Sequence, residues 1–276
     1  MIASACFNSA DGLVPEASRF QSAIFQFPGR PLPLARRLAV YNRVKRILRT
    51  FMDEQNFNEV PATAGGVGSY LSGMIDRGFP LVWSECQTDE VSGSPTGGPR
   101  REIIAIMGAG LDKDDLLGLQ GDLLRTVVEH LSADMLGGRQ ITRLDRVLTC
   151  EHPHLEYGRV REILAERGQP LQPNAVLDPD AETTLTRYCN NQPVMVTGIP
   201  FDTASIPTVD MVSGPDTQHL ACILPYSGLT ITGSVIPGEN VRGGLALNLG
   251  RLLQFLMGLE SVGDTEISPR QRMMTA

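Results

Sequence analysis

The sequence predicts an α+β fold, an antiparallel β-sheet flanked by helices, and three observations carry that expectation. The first half is rich in segments whose apolar residues recur three and four apart, the period of an amphipathic helix. The second half is built of short apolar runs separated by turn residues at hairpin spacing, a segregation typical of α+β chains rather than alternating α/β ones. With 276 residues, 42% of them hydrophobic and 20% charged, the chain can bury one large core.

Residues 1–34 carry scattered Pro, Gly and Ser without periodicity and read as an irregular arm before a single domain over 35–276. A helix is expected from Leu34, because Leu38, Tyr41, Val44, Leu48 and Phe51 form a stripe while Arg36, Arg37, Arg43, Lys45 and Arg49 mark the other faces. Phe57–Pro61 reads as a turn into a short strand, Gly65–Gly68 as a loop, Ser69–Arg77 as a helix and Leu81–Ser84 as a strand. A Gly/Ser/Pro loop at Val91–Pro99 precedes Glu102–Met107, a buried strand by length and β-branching. Asp112 is placed to cap a long helix over Asp114–Met135, with Gly137-Gly138 as its stop and Leu116, Leu123, Leu124, Val127 and Val128 on its apolar side. Shorter helices follow at Val160–Ala165 and Ala181–Cys189, then strands at Val194–Thr197, Leu220–Leu224, Leu229–Thr232 and Gly244–Leu249. The last of these runs into an apolar helix with Arg251 at the junction, followed by an acidic turn and the pair Pro269-Arg270.

Charge and cysteine usage exclude several classes. A net charge of −7 argues against a broad phosphate-binding face, so no nucleic-acid partner is expected. No apolar run reaches the length of a membrane span and the N-terminus lacks a basic, then apolar, leader pattern, so a cytoplasmic protein with no membrane partner is expected. The five cysteines are widely spaced with no C-x-x-C pair, which points to reduced thiols and to no metal site.

The segment Gly243–Arg270 resembles the third signature motif of class II aminoacyl-tRNA synthetases, of the asparaginyl and aspartyl kind. His152–Tyr157 with Val160–Leu164 resembles the "PRITY…EAIEIL" stretch of the asparaginyl subgroup, and Gly228–Ser234 its strand "GEIIGGS". Between them, Leu177-Asp178, Glu182–Leu185, Pro193–Thr197 and Ile199-Pro200 match in the same order. Arg37–Val60 resembles motif 1, which in that family forms the dimer interface, so the resemblance implies a homodimer as well as the fold. No counterpart of the anticodon-binding barrel of the asparaginyl enzymes is read here, as in the related aspartate-ammonia ligases.

The same alignment implies that the chemistry has changed. Class II enzymes steady the α-phosphate with a motif 2 arginine, and here that stretch reads Gln87-Thr88-Asp89-Glu90. The family's magnesium carboxylates fall near Met107–Ala109 and on Leu229, and apolar side chains cannot ligate that ion. The loop that receives the amino acid becomes Phe201–Pro207, and Ala246 and Asn248 replace glycines beneath the adenine. No cofactor is therefore expected; ATP and magnesium are the ones the resemblance would bring. The candidate catalytic residues are Arg251, which either faces a ligand or pairs within the strand–helix junction, and the acids Glu85, Asp89 and Glu90, which either line a pocket or form a solvated loop. His219, Tyr226, Ser227 and Arg100 are the candidate substrate-binding residues, with a structural reading open for each; His152 and His154 read as decorating a turn. The expectation is a small-molecule enzyme that does not act on tRNA. An ATP-dependent amide ligase and a non-catalytic dimeric module for a metabolite or partner are the alternatives.

Overall fold

The computed structural model describes residues 33–61, 73–88, 100–131, 136, 144–145, 147–200, 216–259 and 261–265, with backbone alone at 86–88, 100, 101, 263 and 264. Its centre is an eight-stranded sheet in the order β1-β2-β3-β8-β7-β6-β5-β4. The strands are β1 (Asn58–Glu59), β2 (Leu81–Thr88), β3 (Arg100–Ala109), β4 (His154–Glu156), β5 (Val194–Thr197), β6 (Gln218–Leu224), β7 (Gly228–Ile236) and β8 (Arg242–Asn248). From β2 to β5 every neighbouring pair is antiparallel, as expected. The two edge pairs, β1 with β2 and β4 with β5, are parallel. Strands of two and three residues carry too little alternation to reveal their direction, which is set by the long connections preceding β2 and β5.

Three helices cover one face: α1 (Leu34–Glu54), α2 (Lys113–Glu129) and α5 (Leu249–Met257). Val44, Ile47 and Phe51 of α1, Leu123, Leu124 and Val127 of α2, and Leu252, Phe255 and Leu256 of α5 pack against Ile104, Ile106, Leu220, Leu245 and Leu247 of the sheet. Of the expected α1 stripe, Val44, Leu48 and Phe51 are buried, joined by Val40, Ile47 and Met52, whereas Leu38 is 41% exposed. Asp112 caps α2 as expected, reinforced by Asp115 in a reciprocal capping box, but the helix ends at Glu129 with His130 as its cap, short of Met135. Arg100 and Arg101, ahead of the strand expected from Glu102, begin β3 opposite Thr88 and Gln87. Where α1 crosses the sheet edge, Tyr41 and Lys45 each donate to Glu102 at 2.6 Å and Ser84 donates at 3.2 Å. Burial raises the Glu102 carboxyl, but those hydrogen bonds outweigh it and hold the group below the usual carboxylate value.

Two smaller clusters cover the ends of the opposite face. Helices α3 (Tyr157–Glu166) and α4 (Pro179–Tyr188) place Val160, Ile163 and Leu185 on Val194, Val196, Ala221 and Ile223. At the other end Ile75, from a helical turn at 73–76, packs on Leu81, Trp83, Ala105 and Met107. Cys150, Cys189 and Cys222 are free thiols, in line with the expectation of reduced cysteines; burial pushes the Cys189 thiol up to about 11. No helix among the described residues is long and apolar enough to cross a membrane.

Gly243 is where the chain before α2 passes directly over β8: a Cβ there would sit 2.4 Å from the Leu111 carbonyl oxygen. Backbone cannot yield as a side chain can, so Gly243→Ala should cost roughly 1–3 kcal/mol of stability, read as a lowered urea midpoint at unchanged m-value.

Candidate functional site

Strand register places Trp83, Ala105, Ala246, Thr232, Ala221 and Val196 side by side across the face opposite α5. The middle of this row is small, and Ala246, Thr230, Thr232 and Ser234 belong to none of the three apolar clusters. Among the described residues, the stretch of this face between the two satellite cores, the trough, therefore has a floor of alanines and hydroxyls, with Ala246 6%, Thr232 8% and Ser234 2% exposed. The next row reads Leu81, Met107, Gly244, Ser234 and His219. On the other side Glu85, Ile103 and Asn248 stand in line.

Arg251 sits in the first turn of α5. The Asn248 side chain caps that turn, accepting from the Arg251 backbone N–H at 3.1 Å. The guanidinium reaches back to β7, where Nη1 donates to the Leu229 carbonyl at 2.9 Å and lies 3.9 Å from Glu182 Oε2. Glu182, in the first turn of α4, is buried and accepts a hydrogen bond from the Leu229 N–H. The backbone N–H and C=O of one β7 residue, Leu229, thus hold both partners. The approach demands a glycine: Gly228 has φ +74°, and a Cβ on it would stand 2.1 Å from Glu182 Oε2 and 3.0 Å from Arg251 Nη1. Burial raises the Glu182 carboxyl; the Arg251 charge and the Leu229 N–H oppose this without reversing it.

The other candidates are spread around this centre. Glu85 shares the trough face with Trp83, whose Nε1 points to Glu85 Oε2 at 3.4 Å, and stands two strands from the Asn248 cap. Asp89 and Glu90 lie outside the described residues, as does the Arg100 side chain. Tyr226 and Ser227 form the β6–β7 turn beside Gly228. Tyr226 has φ 67°, and its hydroxyl donates weakly to Asn191 Oδ1 at 3.4 Å. His219 lies in β6 with Nδ1 2.9 Å from Ser234 Oγ, and burial lowers its pKa, so the ring is neutral near pH 7. His154, read as decorating a turn, is in β4 and contacts Thr197 Oγ1 at 3.2 Å; His152 is partly buried against the Val147 carbonyl.

Glu182, Gly228 and Ser234 were not singled out from the sequence. A glycine following a hairpin turn and an acid in a helix's first turn were visible signals, but nothing in the sequence joins Glu182 to Arg251. A cavity of about 430 Å³ lies elsewhere, between α1 and strands β1–β2, lined by Leu48, Phe57 and Val82 with Lys45, Arg49 and Glu59.

A mixed, centrally antiparallel sheet with a motif-3-like strand and helix and an arginine at their junction makes up the fold of a class II aminoacyl-tRNA synthetase catalytic core. Among solved structures, the chain is similar to asparaginyl-tRNA synthetase from Pyrococcus horikoshii, with a TM-score of 0.67, 15% identity, and coverage of 86% of this chain and 69% of that one. Asparaginyl-tRNA synthetase from Entamoeba histolytica in complex with asparaginyl-adenylate gives 0.64 at 12% identity, covering 95% of this chain and 72% of the other. The aspartyl-tRNA synthetase of the same organism gives 0.63 at 12% identity, with 85% and 58% covered. No family model matches the chain, and no curated protein matches it by sequence. The likeness is one of fold.

Because Glu182 holds its proton more tightly in the folded state, its contribution to stability is complete below the ordinary carboxylate pKa of 4.5 and is lost as pH rises through the raised value. Glu182→Gln carries no such dependence, so its stability relative to the wild type should increase from acidic to neutral pH, as followed by urea midpoints. Gly228→Ala should cost roughly 1–3 kcal/mol in the same measurement, from left-handed strain and crowding of the carboxylate.

Proposed function

We propose that the trough is the pocket of a small-molecule enzyme that acts without tRNA and without forming an adenylate. The observation that carries this reading is the engagement of Arg251 Nη1 by the Leu229 carbonyl and its approach to buried Glu182. An arginine used in this way helps tie α5 to β7 and α4, whereas the resemblance would have it grip a γ-phosphate.

The residues present do not fit magnesium and ATP. Magnesium takes oxygen ligands, and the positions the resemblance assigns to them hold Met107, 2% exposed, and Leu229, whose carbonyl already accepts from Arg251. Among the described residues no three His, Cys, Asp or Glu side chains come together as a metal site. Ala246 and the capping Asn248 stand where the resemblance places glycines beneath adenine. Those features support a ligand smaller and less anionic than a nucleotide, held between the hydroxyl-bearing floor and the side chains of Glu85 and His219.

We also propose that α1 packs against its twin in a homodimer. Leu34 and Leu38 are 40% and 41% exposed on that helix, and the 430 Å³ cleft beside it offers apolar surface for a partner to bury. Light scattering should give twice the 30.0 kDa chain mass, and Leu38→Asp should give the single-chain mass with unchanged helical circular dichroism.

ATP titrated with and without magnesium should leave the melting temperature unchanged, and ATP–pyrophosphate exchange should be absent across a panel of carboxylic acids. A concentration-dependent rise in melting temperature, or exchange with any acid, would replace this reading with that of an ATP-dependent amide ligase.

A further inference from the structure

We propose that Ser234 and His219 form a nucleophile and general-base pair for acyl transfer in the trough, an inference that rests on the trough being the site. The two residues are direct partners across the β6–β7 ladder, so two sheet strands fix their separation. Ser234 Oγ lies 2.9 Å from His219 Nδ1, within the range of an activated nucleophile. Of the other hydroxyls nearby, Thr230 donates to the Gly228 carbonyl at 2.9 Å and Ser227 lies 3.4 Å from Thr230, while Thr232 has Ala221 and Ala246 as its ladder partners and no histidine opposite it. On its β8 side Ser234 is paired with Gly244, which has no side chain, and the row continues to the apolar Met107 and Leu81. Ser234 and Met107 are each 2% exposed and Gly244 is buried, so an acyl group on Oγ would be held in a covered position beside Gly244, with imidazole on the opposite side. Partial burial disfavours the imidazolium, which keeps the ring able to accept a proton near neutrality.

The substrate class is an activated acyl compound, an ester or thioester. In the reacting tautomer Nε2 carries the ring proton and Nδ1 the lone pair. Oγ attacks the carbonyl carbon as its proton moves to Nδ1, and a tetrahedral intermediate forms. Collapse breaks the C–O or C–S bond, the leaving group departs with the proton from Nδ1, and the acyl group remains on Oγ as an ester. Water or an amine then attacks that ester while Nδ1 takes its proton, and Oγ recovers a proton as it leaves.

The test uses the full chain and p-nitrophenyl acetate, whose leaving group departs as a coloured phenolate. A burst of p-nitrophenolate is expected, with acetyl on the peptide that contains Ser234. His219→Gln should slow the burst roughly 100-fold or more at an unchanged melting temperature, and Ser234→Ala should abolish the adduct. Acetylation confined to lysines or other residues, or a burst unaltered by His219→Gln, would overturn the pair. Should Ser234→Ala fail to fold, the wild-type peptide map still decides. ATP–pyrophosphate exchange on the same preparation separates the two ideas. Exchange overturns the non-adenylating reading whatever the map shows, whereas a map without Ser234 acetylation and no exchange overturns the pair alone.

Discussion

The backbone of Leu229 is the point on which the candidate site depends. Its carbonyl takes the Arg251 guanidinium from α5 and its N–H gives to the Glu182 carboxylate from α4, while Gly228 leaves room for both. A helix from the core side of the sheet and a helix from the satellite side are thereby locked to one strand. A buried carboxylate is tolerated when hydrogen bonds and an opposite charge answer it, and removing one member leaves the other exposed to that cost. The Asn248 cap orients the first turn of α5 and so aims the arginine at this strand.

The sheet turns this junction into a trough. Core packing against α1, α2 and α5 takes up much of one face, so large apolar side chains alternate toward it. Toward the other face the central strands present Ala105, Ala246, Thr232 and Ala221 in a single row, and among the described residues the apolar clusters on that face lie at its two ends. Period-two alternation is what makes this division possible, since every residue facing the core has a neighbour facing the trough. The alanine and threonine floor, unlike a glycine floor, raises methyl groups beneath any flat ligand.

Much of the fold was legible in local pattern. The apolar run of Glu102–Met107, the Asp112 cap and the strand-to-helix passage before Arg251 each carry their own physical signal, and each lies where that signal placed it. Element ends were less legible. The strands β2 and β7 extend beyond the predicted runs because ladder hydrogen bonds continue through residues such as Glu85 and Ser234 that show no apolar pattern. The burial of Val40 and Ile47 rather than Leu38 on α1 reflects its seating on Val82 and Ile104, together with the anchoring of Tyr41 and Lys45 on Glu102.

The candidate site divides along the same line. Residue type and nearest neighbours were enough to mark Arg251 as an always-charged group at a strand–helix junction and to leave open whether it faced a ligand or a partner. Its partner, Glu182, is 69 residues away in the chain (251 − 182), and they meet because α4 packs beneath the start of β7. His219, a candidate from the sequence, and Ser234, which was not, become a hydrogen-bonded pair through the register of one antiparallel ladder. Short-range forces act on neighbours in sequence and so can be read there; contacts between distant residues exist only once the sheet has set its order and register.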